Sequence, residues 1–306
     1  MPVFRYLIVL LSAVLILLSP KAPLRAQDVS GGDSLLLFEL QVHMKALAHD
    51  SMRGRLAGSR EDSLTYDYIK NCFNKLKLKP WQEKRQTFTF TDENGKPAVA
   101  RNLMYLHGKK DAPIIMVNAH YDHLGMGGKR SRSILRHEVH NGADDNASGV
   151  AVLLTLAKML QDAKKRPVSY VFMALSAHEP GLFGAAHTAA LKGIDSSRVK
   201  LLINLDMVGR MDENSRVLWV GGDSGWIAAL RDCSAPGDSL DLKIKDLSSG
   251  DPVVFSKEGI PVINLTTGMH DDYHKVSDDE TRINYQGMLR ITMLLFRLLS
   301  RTSIGE

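Results

Sequence analysis

Six short apolar runs constrain the fold more than any other feature of the chain. NLMYL (102–106), PIIMVNA (113–119), SYVFMAL (169–175), KLLINL (200–205), RVLWV (216–220) and PVINLT (261–266) carry no interior charge. A strand with one wet face alternates apolar and polar residues, so uninterrupted runs of this length read as strands covered on both faces. Helical patterns lie between several of them: SGVAVLLTLAKML (148–160), GAAHTAAL (184–191), WIAALRDC (226–233) and DPVVFSKEG (251–259), with NYQGMLRITMLLFRLLS (284–300) following the last. Buried strands alternating with helices specify an α/β fold: a single domain whose mostly parallel, mixed sheet has helices on both faces. Upstream, DSLLLFELQVHMKALAHDS predicts a helix from about Ser34 to His49, and REDSLTYDYIKNCFNKLKL predicts a second, amphipathic one. The Gly-broken SMRGRLAGS (51–59) separates them, and the alternating RQTFTFT (85–91) predicts a strand.

The 306 residues, 44% hydrophobic and 24% charged, suit one large α/β domain. The N-terminus is set apart. Arg5 precedes the apolar run YLIVLLSAVLILLS (6–19), which Pro20 and Lys21 close, and LRAQ offers Ala26 for cleavage. Fourteen residues fall short of the roughly 20 that span a bilayer. Residues 1–26 therefore read as a secretory signal peptide, with a membrane anchor as the alternative. The expected product is periplasmic or extracellular, without a stable membrane anchor. Removing Arg5, Lys21 and Arg25 lowers the formal charge from +5 to +2 and leaves no polybasic patch, which excludes nucleic acid as a partner. Oligomeric state is left open. Ile69, Cys72, Phe73 and Leu76 share helical spacing, so Cys72 reads as a packed thiol rather than the disulfide partner of Cys233.

In a parallel sheet ligands bind beyond the carboxyl ends of the strands, so the strand endings carry the chemistry. NAHYDHLG ends a run in His120, Asp122 and His123, and ALSAHE ends one in His178 and Glu179. INLD ends in Asp206, the helix after HNGADDNASG is preceded by Asp144 and Asp145, and HDDYHKVSDD supplies His274. Taken singly, each has a plain alternative: an Asp capping a helix, a His satisfied at a strand end, an Asp in a turn. Together on one edge they form a ligand set for zinc or a similar divalent metal.

With these motifs in this order, the chain resembles the co-catalytic zinc exopeptidases of metallopeptidase family 28. That group includes bacterial leucyl-type aminopeptidases and relatives of glutamate carboxypeptidase and glutaminyl cyclase. SMRGRLAGS, NAHYDHLG, HNGADDNASGVA, INLDMVGR, GIPVINLTTG and DYHKVSDD carry the resemblance across nearly all of the chain after residue 26. It implies a zinc-exopeptidase (phosphorylase/hydrolase-like) domain over 27–306, with N-terminal helices within 34–76 and a catalytic core at about 100–301. It implies two zinc ions per chain and a peptide substrate. His120 and Asp206 would hold one zinc, Glu179 and His274 the other, and Asp145 would bridge them through a residue followed by a cis peptide. Asp122 would take the second ring N–H of His120, and Asp278 that of His274. Tyr273 would polarise the scissile carbonyl.

At one position the chain departs from that pattern. Active members of the group end the ALSAHE strand with two glutamates, a general base followed by a ligand. Here the base position holds His178. The later Ser-Asp-His loop reads SSGDPVVF, with Asp251 kept and Pro252 in place of His. Three explanations of His178 stand: it is the base, or the protein is a weakened or inactive peptidase that still binds zinc, or His178 is an additional ligand. The functional expectation is an exported zinc exopeptidase of aminopeptidase type. A zinc-binding pseudopeptidase and a glutaminyl cyclase-like acyl transferase are the alternatives, the latter disfavoured because all five dinuclear ligand positions are filled.

Overall fold

The computed structural model describes residues 31–301, apart from 136, 164–166, 192–193 and 236–239. The proposed leader, 1–26, lies outside the described residues. Among those described, no helix is long and apolar enough to cross a membrane.

Helices α1 (Gly31–Leu47) and α2 (Arg60–Lys75) open the chain, joined by a helical turn at Asp50–Arg55. α1 ends two residues before His49, whose ring instead accepts the Ser51 N–H at 3.1 Å and starts the turn. α2 is capped by Ser59, which accepts the Asp62 N–H at 3.0 Å. It stops at Lys75 because Lys77 is left-handed (φ 54°), three residues before the sequence pattern ends. The strands follow as β1 (Lys79–Pro80), β2 (Thr87–Thr91), β3 (Pro97–Arg101), β4 (Leu103–His107), β5 (Ile114–His120), β6 (Ser169–Leu175), β7 (Val199–Leu205), β8 (Val217–Gly222), β9 (Asp241–Ile244) and β10 (Val262–Thr266). Between and after them lie α3 (Gly149–Asp162), α4 (Phe183–Ala189), α5 (Ser224–Asp232), α6 (Asp251–Lys257) and α7 (Tyr285–Arg301).

Eight strands form one sheet in the order β1-β4-β6-β5-β7-β10-β8-β9. Its centre, β6-β5-β7-β10, is parallel. β4 and β8 run antiparallel on either side of that centre. β2 and β3 form a separate ribbon. β1, β3 and β9 have no counterpart among the sequence-derived strands. Their residues are largely exposed, so they lack the apolar run that marks the others. The sheet is covered on both faces. Ile115, Val117 and Ala119 of β5 meet the layer of α1, α2, α3, α5 and α7, while Ile114 and Met116 meet α4 and α6. Cys72 and Cys233 are free thiols that belong to the larger of these cores.

All seven residues of β5 and of β6 are buried. Such strands hold their carboxyl ends rigidly, and β5, β6, β7 and β10 end on the same edge. That edge carries His120, His178, Glu179 and Asp206, and the loop that follows β10 brings in Tyr273 and His274.

Candidate metal centre

Asp145 sits at the centre of the cluster. Its Oδ1 is 3.3 Å from His120 Nε2, and its Oδ2 is 3.2 Å from His274 Nε2. His120 Nε2 is also 3.6 Å from Asp206 Oδ1, and His274 Nε2 is 3.3 Å from Glu179 Oε1. One carboxylate thus faces two groups of donors. The structure brings all five sequence-derived ligand candidates together, two on each side of Asp145.

The donors fit a divalent metal on their own chemistry. Nε2 of His120 and of His274 is buried and has no hydrogen-bond partner among the described residues. A buried polar atom left unpaired is costly. Ligands around a tetrahedral ion at about 2.0–2.2 Å stand roughly 3–3.6 Å from one another, which is the spacing found here. Burial alone would raise the Asp145 carboxyl, yet His120 and His274 hold it well below the usual range. Glu179 is also held low: burial and Asp145 push it up, and His123 and His274 outweigh them.

Local backbone places Asp145. It lies in an irregular turn (Ala143–Ser148) between Gly142 and α3, and the Asp145–Asn146 peptide is cis. Gly142 is left-handed (φ 54°), and a Cβ there would stand 2.3 Å from the Asp145 carbonyl oxygen and 2.4 Å from His123 Cδ2. No other residue fits against the site so closely. Arg55, 1% exposed, ties the ligand-bearing segments to one another. It donates to the carbonyls of Tyr121 (2.8 Å), Asn141 (2.6 Å), Gly142 (2.8 Å) and Leu47 (2.7 Å). Burial depresses its pKa to about 10, against the pull of Asp145, Asp278, Asp122 and Glu179, so it stays charged near neutral pH.

Two expectations about supporting carboxylates need correction. The Asp278 carboxylate does not hold His274. It accepts the backbone N–H groups of Asp144 (3.0 Å) and Asp145 (3.1 Å), and so clamps the bridging turn. His274 Nδ1 pairs with the Arg130 carbonyl at 3.0 Å. Similarly, it is the backbone carbonyl of Asp122 that meets His120 Nδ1, at 3.1 Å, while its carboxylate stands 3.8 Å away. That carboxylate accepts the N–H groups of His178 (3.0 Å) and Glu179 (3.1 Å). Both acids therefore position backbone. A sequence shows that an Asp follows a His by two residues, but not which of its oxygens faces the ring.

His178 lies beside the donor set. Its ring stacks on that of His120, with centroids 3.8 Å apart and planes within 9°. Its ligand atom and those of His120 and Asp206 lie within 4.8 Å of one another, but an imidazole binds a metal in its own plane, so these parallel stacked rings would share an ion only if one of them turned. Its Nδ1 is 2.9 Å from Asp251 Oδ1, and Asp251 is fully buried. Burial and the neighbouring His120 lower the pKa of His178, and the Asp251 carboxylate more than offsets them, holding it at about 9. Bound cations beside the ring would act in the opposite sense to Asp251.

His123 is a site residue that the sequence reading counted among the strand-end donors but assigned to neither zinc. It is fully buried, with Nδ1 3.2 Å from Glu179 Oε1 and 3.8 Å from Asp145 Oδ2. Its ligand atom and those of Asp145 and Glu179 lie within 4.8 Å of one another. Its place three residues after His120 in NAHYDHLG was the available signal. Tyr273 borders the cavity over the metal centre, a space of about 290 Å³, and its ring packs on that of His274 at 3.8 Å. Burial raises its pKa, reinforced by Asp145, Glu179 and Asp206, so the phenol keeps its proton for donation.

Residues 102–299 match the sequence model of "Peptidase family M28". The chain is 30% identical over 240 residues to the uncharacterized protein YfbL of Escherichia coli, covering 65% of this chain and 70% of YfbL. It is 30% identical over 164 residues to aminopeptidase YwaD of Bacillus subtilis, covering 52% of this chain but only a third (33%) of YwaD. Among solved structures, glutaminyl cyclase from Porphyromonas gingivalis superposes with a TM-score of 0.75 over 86% of this chain and 97% of that one. At 18% identity that likeness establishes the fold alone.

Proposed function

Because the chain belongs to peptidase family M28, we propose that it is an exported exopeptidase that holds two zinc ions and removes residues from the free N-terminus of peptides. The family is one of zinc metallopeptidases; the aminopeptidase type, the second zinc and export are the finer proposal. Asp145 carries it, with one oxygen toward His120 and Asp206 and the other toward His274 and Glu179. When bound, the metals supply an acidified water and a Lewis acid for the scissile carbonyl.

The chain's own groups then have distinct tasks. His178, which borders the cavity, is held by Asp251 with Nδ1–H donated, and this leaves Nε2 as the basic atom. It takes the proton of the attacking water and passes it toward the leaving amine, and Asp251 steadies the imidazolium formed. The Tyr273 hydroxyl donates toward the carbonyl oxygen as charge develops there. An acyl transfer of the glutaminyl cyclase type is the weaker reading, since donors stand on both sides of Asp145.

Zinc analysis of the purified protein, joined to hydrolysis of a dipeptide with a free amine and of its N-acetyl form, tests this. We expect close to two zinc ions per chain and turnover of the free form only. Bound zinc without turnover of either would make the protein a zinc-binding pseudopeptidase, and absence of zinc would refute the metal centre.

A further inference from the structure

Three asparagines stand side by side in the sheet. Asn118 on β5 is in register with Asn204 on β7, and Asn204 with Asn264 on β10. Asparagine is disfavoured in strands. Here three of them occupy the sheet face on which the residues two positions earlier, Met116, Leu202 and Val262, are core. Their amides form a chain with one direction. Asn118 Nδ2 donates to Asn204 Oδ1 at 2.7 Å, and Asn204 Nδ2 donates to Asn264 Oδ1 at 2.7 Å. The ends decide that direction. As it stands, the buried end leaves one acceptor, Asn118 Oδ1, unpaired. Reversal would bury an amide with two unpaired donors instead, which is worse. The open end therefore presents the N–H groups of Asn264. They have no protein partner among the described residues, and Asn264 borders the cavity over the metal centre.

A pit of about 80 Å³ adjoins that cavity and shares Lys245, Ser249, Asn264 and Thr266 with it. Lys245 is exposed and forms no ion pair among the described residues. The Thr266 hydroxyl is already engaged, donating to the Met207 carbonyl at 3.2 Å and accepting the Gly268 N–H at 3.1 Å. Asp246 also borders the pit. The unspent groups shared by pit and cavity are thus chiefly donors. An apolar side chain entering would desolvate the Asn264 amide and the Lys245 ammonium without replacing their bonds to water. A side chain ending in a carboxylate or carboxamide oxygen would accept from both.

We propose that this pit is the specificity pocket of the peptidase site, and that it takes a substrate side chain ending in a carboxylate or carboxamide. This rests on the exopeptidase reading for its occupant, but not on turnover, because the free amino acid released as product fits the same pit. The test is calorimetric titration of the zinc-loaded protein with L-aspartate, L-glutamate, L-asparagine, L-glutamine and L-leucine, with hydrolysis of the matching aminoacyl nitroanilides measured in parallel. At least one acid or amide should bind about tenfold or more tighter than leucine, as a site built to hydrogen-bond its ligand discriminates. Asn264→Leu should erase that preference. Lys245→Met, at an exposed position that does not disturb the asparagine chain, should weaken the acids and spare the amides. That contrast separates the carboxylate from the carboxamide. A binding preference of this kind supports the pocket even if no nitroanilide is cleaved, in which case it is the peptidase reading that fails. Leucine binding as tightly as the polar residues, an Asn264→Leu protein that keeps the preference, or no binding of any amino acid would each overturn the proposal.

Discussion

On one side of Asp145, the Glu179 and His274 side chains are only 7% and 8% exposed. Fully buried His123 braces Glu179, and the Arg130 carbonyl fixes His274. On the other side, the Asp206 side chain is 23% exposed, and the next group is His178, stacked on His120 and tied to Asp251. The more buried half has its donors and their supports in place with little freedom left. The more open half has donors and a stacked base, and both halves line the one cavity. The difference teaches that the two halves of a symmetric-looking ligand set are supported unequally: one is braced and nearly buried, the other is the more open to water.

The comparison can be broken in several places. Asp145→Ala removes the group the halves share, so zinc should fall below one ion per chain and hydrolysis below detection; elemental analysis with a dipeptide assay reads both. Retention of two zincs would mean that the halves are independent. Arg55→Met strands four backbone carbonyls beneath both halves. It should cost at least about 3 kcal/mol in denaturant unfolding of the metal-free protein, and a loss under about 1 kcal/mol would show that the segments hold their own shape. Asp251→Asn acts on the open half alone. It should lower kcat by about 10- to 100-fold, within the range of general-base catalysis, with zinc content unchanged. An unaltered kcat would detach His178 from the chemistry.

A pH-dependent effect lies behind both halves. Asp62 is buried against the Ser176 hydroxyl at 2.7 Å, and burial raises its pKa to about 7. The unfolded chain gives up this proton near pH 4 and the folded chain near pH 7. The folded state therefore binds more protons between those values, and stability falls as pH rises through that window. Asp62→Asn should flatten the fall, by at most about 1.4 kcal/mol per pH unit. Equal slopes for the two proteins would place the proton elsewhere.

Much of this was legible in the sequence, for a physical reason. Buried parallel strands are written as apolar runs, so the first His, Asp or Glu beyond each run marks the carboxyl edge. His120, His178 and Asp206 were found that way, and Glu179 follows His178 directly. What stayed hidden depends on partners far apart in the chain. Asp251 reaches His178 across 73 residues, Asp278 reaches Asp144 across 134, and Arg55 reaches Gly142 across 87. Nothing local marks Arg55 as buried, since an arginine in a Gly-broken loop usually faces water. The asparagine chain was hidden likewise, because register between strands is a tertiary property while each Asn reads as one polar residue inside an apolar run.

The central claim is that two metals flank Asp145 while His178 stays outside their coordination. Anomalous diffraction at the zinc absorption edge from crystals of the zinc-loaded protein tests it most directly. The account predicts two peaks about 3.5–4 Å apart, one beside His120 and Asp206 and one beside Glu179 and His274, with His178 Nε2 farther from either than the 2.0–2.1 Å of a zinc–nitrogen bond. A single peak, or a peak with His178 bound to it, would contradict it.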